Sequence, residues 1–239
     1  MRIGRTLILV VSAVVFAGPI LLGLGHLARV PWGGALFNSL VIAGAFTALS
    51  TASAALAGFA FARRRVWWKN VVFLFVLSTL MVPWIVTLIP QYVIFYRFHL
   101  INTPWPWVLW GLQGTPLQIF LFRQFYATFP RELEDAAAID GSGRLRIFWD
   151  IFVPNSKPVI AVCAVWAFIL VWGDFLTQDL FFIVDPNGTL LTRITTTLTV
   201  GDATLSTLPL ALYALPPLVF FLLVQRYLTQ TVVPSGVRD

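Results

Sequence analysis

Six long runs with almost no ionisable side chain divide this chain, at about 6–25, 36–62, 70–91, 105–128, 158–180 and 207–228. That feature removes most folds. A helix rises 1.5 Å per residue, so about 20 residues cover the ~30 Å hydrocarbon layer of a bilayer. Only helices and closed barrels satisfy their backbone polar groups in lipid, and these runs lack the in-out alternation of barrel strands. The chain is therefore expected to be all-α: a single polytopic transmembrane domain over 1–239 with about six helices. Composition agrees, with 59% of the 239 residues hydrophobic and 11% charged, where a soluble domain carries about 25% charged. Arg2 and Arg5 precede the first run, as in a signal peptide. The run has spanning length and lacks a clear small-x-small cleavage site, so an uncleaved first helix is expected.

The formal net charge is +6, from 16 Lys and Arg against 10 Asp and Glu. Its placement gives the runs a direction. One set of run ends holds Arg2, Arg5, Arg63, Arg64, Arg65, Lys69, Arg123, Arg131, Arg144, Arg146, Lys157, Arg226 and Arg238; the other holds Arg29, Arg97 and Arg193. Cytoplasmic loops collect Lys and Arg, so both termini are expected in the cytoplasm. The charge is a flanking pattern with no single basic face, which argues against nucleic acid as a partner. Cys163 is the only cysteine. It allows no intrachain disulfide, makes a cysteine-based metal site implausible, and reads as a small packing residue. No metal site is expected.

Most connections are short. Asp185-Pro186-Asn187-Gly188 signals a turn in the longer outer segment 181–206, and the threonine-rich run 192–199 fits either a strand or an interfacial segment. The cytoplasmic loop of about 129–157 differs in kind. Half of the chain's acids sit there: Glu132, Glu134, Asp135, Asp140 and Asp150. Pro130 suits a first helical position, the acids after it complement the positive end of a helix dipole, Ala136-Ala137-Ala138 favour helix, and Gly141 marks its end. A second short helix is expected over 145–150, stopped by Pro154 and Pro158. Three alanines make a flat face that lets a partner approach the backbone, with flanking charges to set register. The other reading is an amphipathic helix lying on the membrane, which calls for bulkier apolar residues.

This loop carries a resemblance. Asp135-Ala136-Ala137, three residues, Gly141, nine residues, Ile151, one residue, Val153-Pro154 is similar to the E-A-A, three, G, nine, I, one, L-P signature of ABC importer permeases. The spacing matches at every step; Asp135 stands for Glu and Val153 for Leu. Phe37-Asn38-Ser39-Leu40, His99-Leu100-Ile101-Asn102-Thr103, the Phe129–Glu134 lead-in, Trp172-Gly173-Asp174-Phe175 and Gln225-Arg226-Tyr227 resemble segments of the carbohydrate branch. The likeness runs from about residue 36 to about residue 230. The outer loop 25–35 and the last residues depart from the branch's usual form.

The resemblance implies a non-enzymatic permease subunit of the bacterial cytoplasmic membrane. It would form half of a pore for a sugar or sugar-like solute, such as an oligosaccharide or a glycerophosphate-type compound. The implied partners are a second, homologous permease, two ATPase subunits and an extracytoplasmic binding protein. The implied ATPase-coupling residues are Glu134, Asp135, Ala136, Ala137, Asp140, Gly141, Ile151 and Pro154, on a coupling helix between the fourth and fifth spans. No G-x-x-x-x-G-K-[ST] loop occurs in the chain, so ATP and Mg are expected on the partner ATPases and no cofactor here. A secondary transporter or channel independent of ATPases is the alternative, but the coupling-loop signature counts against it, a proton-coupled transporter would place ionisable groups mid-membrane, and His26 and His99 fall at run ends. An intramembrane serine protease also lacks a placed histidine. The candidate solute-path residues are Trp84, Gln91, Trp110 and Asp174. The two tryptophans are candidates for stacking on a sugar ring. Asp174 fits either a path-lining group or a simple helix end, and Pro83, Pro90 and Pro116 are candidate kinks.

Overall fold

The computed structural model describes residues 32–183, 188–199 and 207–228, and every element among them is helical. The first expected span (6–25), most of the turn at 185–188 and the carboxyl tail after 228 lie outside the described residues. Helix α1 (Trp32–Arg63) runs for 32 residues, about 48 Å at 1.5 Å per residue. It is the one described helix long and apolar enough to cross a bilayer alone; counting two bent pairs as single spans raises the number to three. Its buried side carries Ser39, Ala43, Thr47, Ser50, Ala54 and Gly58 among its members. Small residues at four-residue spacing let membrane helices approach closely, where packing rather than the hydrophobic effect holds them. A Cβ on Gly58 would lie 2.5 Å from Phe122 Cβ and 2.9 Å from the Arg123 nitrogen. That close approach seats α5 against α1.

The run at 70–91 is two helices, α2 (Lys69–Ser78, prolonged by a tighter turn at Thr79–Met81) and α3 (Trp84–Arg97). They meet at a 98° bend. Val82 is extended there, with φ −83° and ψ 115°, because the ring of Pro83 disfavours a helical residue before it. Pro90 lies inside α3. The run at 105–128 is likewise divided, into α4 (Trp105–Gln113) and α5 (Pro116–Ala127). Gly114 turns the chain with φ +69°, a conformation glycine adopts without Cβ cost. Thr115 then caps α5, its hydroxyl oxygen accepting from the Gln118 N–H at 3.3 Å, and Pro116 opens the helix.

The loop holds α6 (Glu132–Ile139) and α7 (Arg144–Asn155), which widens by one turn at Phe148–Phe152. α7 meets α8 (Lys157–Trp172) at 82°, with Pro158 in the first turn of α8. α9 (Phe175–Phe181), α10 (Leu190–Thr199) and α11 (Thr207–Leu228) complete the described chain. The threonine-rich run is thus helical, its hydroxyls bonded back to carbonyls one turn earlier, as Thr195 Oγ1 donates to the Thr192 carbonyl at 2.8 Å.

α1 packs against α4, α5, α8 and α10. Two apolar clusters result. One gathers Trp107, Trp172 and Phe181; the other gathers Phe122, Tyr126, Phe148 and Phe152 beneath the loop. A polar junction joins three helices. The Gln118 side-chain amide, fully buried, donates to the Cys163 carbonyl at 3.0 Å and to Thr51 Oγ1 at 3.4 Å, while its oxygen accepts from Thr115 Oγ1 at 3.0 Å. Buried amides in lipid need such partners. Cys163 is buried and unpaired.

Gly58→Ala is expected to destabilise the protein by about 1–3 kcal/mol through overpacking. Gly44 has open space around its missing Cβ, so Gly44→Ala serves as the control. Thermal unfolding in detergent checks both: the Gly58 variant melts lower, and the Gly44 variant melts at or above the parent.

Candidate functional sites: the loop helix and the interhelical cavity

The loop helix is built for display. Arg131, rather than Pro130, occupies the position before it: the Arg131 carbonyl accepts from the N–H groups of Glu134 at 2.9 Å and Asp135 at 3.0 Å. Pro130 stands outside the helix and Glu132 is its first residue. Glu132, Glu134 and Asp135 fill the first turn, where carboxylates face the positive dipole end. At the far end the Ser142 N–H donates to the Ala137 carbonyl at 2.9 Å and the Gly141 N–H to the Ala138 carbonyl at 3.1 Å. This paired closure requires a left-handed residue, and Gly141 supplies it with φ +79°.

The named loop residues separate into two layers. Asp135, Ala136, Asp140 and Gly141 are exposed, as is Pro154. Ala137 and Ile151 pack on the aromatic cluster beneath. Around the exposed face stand Ile139, Leu145 and Trp149, 87%, 66% and 60% accessible. Apolar side chains this open suit a surface covered by lipid or by another protein.

One residue of this site was not legible in the sequence. Arg63 reads there as one of three consecutive flanking arginines, yet its side chain is only 8% accessible, while Arg64 and Arg65 are exposed. Its Nε lies 3.1 Å from Glu134 Oε1, an ion-pair contact without hydrogen-bond alignment. Its Nη2 donates to the Phe129 carbonyl, and its guanidinium sits 5.2 Å from the centre of the Phe152 ring. Burial of a charge demands such partners.

The second site is a cavity of about 640 Å³ between α1, α3, α4, α8 and α9. All four residues named from the sequence line it: Trp84, Gln91, Trp110 and Asp174. Helix breaks place them. Trp84 follows the Pro83 corner, Trp110 precedes the Gly114 turn, and Asp174 lies between α8 and α9. Gln113, Thr115 and Thr177 complete the polar lining. Irregular backbone at membrane depth is tolerated where it lines a cavity, so the Gly114-Thr115-Pro116 and Gly173-Asp174 breaks were the signal for these extra residues. Trp110 is held edge-on by Phe95 and Phe181, each 5.3 Å away by ring centre, while Trp84 is 55% accessible. Asp174 stands at a helix end and at the cavity. Its Oδ1 accepts from the Thr177 N–H at 3.1 Å, capping α9, and the same residue faces the cavity.

The remaining sequence segments fix the end of the bundle beyond the cavity. Asn38 donates to the Gly188 carbonyl at 3.3 Å, and Ser39 Oγ accepts from the Leu190 N–H at 2.8 Å. His99 and Asn102 take left-handed φ values of 57° and 61°, which lets the Asn102 N–H donate to the Phe181 carbonyl at 2.9 Å. Trp172 and Tyr213 bond reciprocally: the indole N–H donates to the Tyr213 carbonyl at 3.0 Å and the Tyr213 hydroxyl to the Trp172 carbonyl at 2.8 Å. Among the described residues no cluster of His, Cys, Asp and Glu is fit to hold a metal.

A solved structure has the same all-helical fold. A bacterial ABC transporter involved in the import of the acidic polysaccharide alginate contains a chain of the same fold, with a TM-score of 0.76, 16% identity, and 85% of this chain and 78% of that chain aligned. The chain belongs to the family described as the binding-protein-dependent transport system inner membrane component, which matches residues 51–234. Its relatives include the sn-glycerol-3-phosphate transport system permease protein UgpE of Yersinia pestis bv. Antiqua, 32% identical over 86% of this chain and 74% of that protein. The osmoprotective compounds uptake permease protein GgtD of Synechocystis is 33% identical over 87% of this chain and 71% of its own length. The maltodextrin transport system permease protein MdxG of Bacillus subtilis is 36% identical over 58% and 50%. The chain is an ABC importer permease, a transport component of the inner membrane rather than an enzyme in itself.

Two substitutions separate the roles of Asp174. Asp174→Asn keeps a capping oxygen and removes the charge; Asp174→Ala removes both, at about 1 kcal/mol for the lost cap. The alanine variant is expected to melt lower than the asparagine variant in detergent. Uptake that falls in both identifies a path-lining group, whereas uptake that falls only in the alanine variant assigns Asp174 to helix capping alone.

Proposed function

We propose that this chain forms half of the translocation path for a sugar or sugar-like solute and receives the work of ATP through α6. The observation that carries the coupling half is the surface of α6: a short alanine-faced helix, closed at Gly141, with an exposed apolar rim. The cavity supports the other half. Its lining holds three tryptophans, Trp84, Trp107 and Trp110, with amide, hydroxyl and carboxylate groups, the chemistry that recognises polyhydroxylated solutes. The names of the relatives point the same way, since they specify sn-glycerol 3-phosphate, osmoprotective compounds and maltodextrin.

In this reading six spans cross the inner membrane, α2 and α3 acting as one bent span and α4 and α5 as another, with both termini in the cytoplasm. A second, homologous permease completes the path. Two ATPase subunits bind ATP and Mg below it, and an extracytoplasmic binding protein delivers the solute. Closure of the ATPases moves α6, and the bundle alternates between its two openings.

Gly141→Asp tests the coupling half. A non-glycine residue in the left-handed region costs about 1–2 kcal/mol, and the new carboxylate sits at the negative end of the helix dipole. The variant is expected to insert normally yet lose ATPase co-purification and uptake by about tenfold or more. Retention of both would end the docking proposal.

A further inference from the structure

Three arginines follow one another at the end of α1, and only the first is buried. Arg63 touches three separate parts of the loop: the Phe129 carbonyl ahead of α6, the Glu134 carboxylate on α6, and the Phe152 ring in α7. Its two nitrogens serve two different partners, which a guanidinium fork permits and an ammonium point charge does not. The partners are held from behind as well. Phe152 stacks with Phe129 at 5.0 Å and meets Tyr126 edge-on at 5.2 Å. The loop helix, its lead-in and α7 thus grip one group, and that group is the last residue of α1.

α1 continues without a break from Arg63 back to Phe46, which lines the cavity. Those 17 positions span about 26 Å of rigid helix. Along it α1 is wedged against α4, α5 and α8, the last two through the Gln118 junction. A packed helix fixed at one end by a partly buried ion pair moves as a body, and such rigid elements carry coupling between distant sites.

We propose that Arg63 is a positioning residue for energy coupling: its ion pair with Glu134 joins α6 to α1, so that a push on the loop helix reaches the cavity wall. This rests on the coupling reading of α6.

The test uses the full chain assembled with its partner permease and ATPases in proteoliposomes. Cys163 is replaced by serine, and Thr87→Cys on the cavity wall reports access to a water-soluble maleimide. The wild-type pair is expected to change its labelling rate about tenfold when MgATP and vanadate are added, within the range of ordinary allosteric couplings. Arg63→Gln is expected to keep the ATPases on affinity purification and lose that change; Glu134→Gln, on the docking helix itself, is expected to lose it in the complexes that assemble. The double exchange, Arg63→Glu with Glu134→Arg, is expected to restore at least part of it, because it rebuilds the ion pair. Arg65→Gln, an exposed neighbour, serves as the control. If Arg63→Gln fails to assemble, Glu134→Gln carries the same test from the more accessible side of the pair. ATP-driven labelling that persists in the assembled neutral variants overturns the proposal. A wild-type complex with bound ATPases and no ATP-driven change at Thr87 overturns the coupling reading itself, and this proposal with it.

Discussion

The structure depends on how closely other helices approach α1. In lipid the hydrophobic effect does not draw helices together, so the interface must gain from contact and from hydrogen bonds. Ser50, Ala54 and Gly58 clear the space; Phe122 and Arg123 fill it. Gly111 and Gly114 do the same from the other side, where added Cβ atoms would meet Leu49 Cβ at 2.9 Å and the Ala54 nitrogen at 3.2 Å. Close backbones bring Thr51 within reach of Gln118, and Gln118 reaches across to α8. The position of Arg63, and with it the seat of the loop helix, follows from the same packing.

Against that rigid helix several others are interrupted. Pro83, Gly114 and Gly173 each end a helix, and the cavity lies among the three breaks. A straight bundle of apolar helices would leave few polar groups facing inward. Interruption changes this, because a helix end exposes backbone groups and the side chains that cap them. Thr115 and Asp174 are both cap residues and both line the cavity. Cap residues are thus also lining residues, so the geometry of the lining is inherited from local chain chemistry.

Much of this was readable in the sequence, for identifiable reasons. Helical class followed from charge-free runs, and the loop helix from its acids, alanines and Gly141, whose signature spacing is stiff enough to survive two substitutions. Trp84, Gln91, Trp110 and Asp174, each an amphipathic or polar group in an otherwise apolar run, line one cavity. What stayed hidden depends on geometry across the fold. Nothing local distinguishes Arg63 from Arg64 or Arg65; only the angle at which α1 ends turns one of them inward. The start of α6 also differs from the expected Pro130: the Arg131 carbonyl accepts the first bonds and Glu132 is the first helical residue. The corner at Pro83 was visible as a proline, but its 98° depended on Val82 adopting an extended backbone.

Gln118 has a consequence for biogenesis. Its amide reaches Thr51 and Thr115, both translated before it, and the Cys163 carbonyl, 45 residues later. At about 5–20 residues per second, ribosomal synthesis leaves an interval of roughly 2–9 s in which α5 exists and α8 does not. Through that interval the amide has only its two hydroxyl neighbours to meet its bonding demand. The nascent chain must therefore hold α1 and α5 together early, or keep α5 near the insertion machinery and its water, until the last partner emerges.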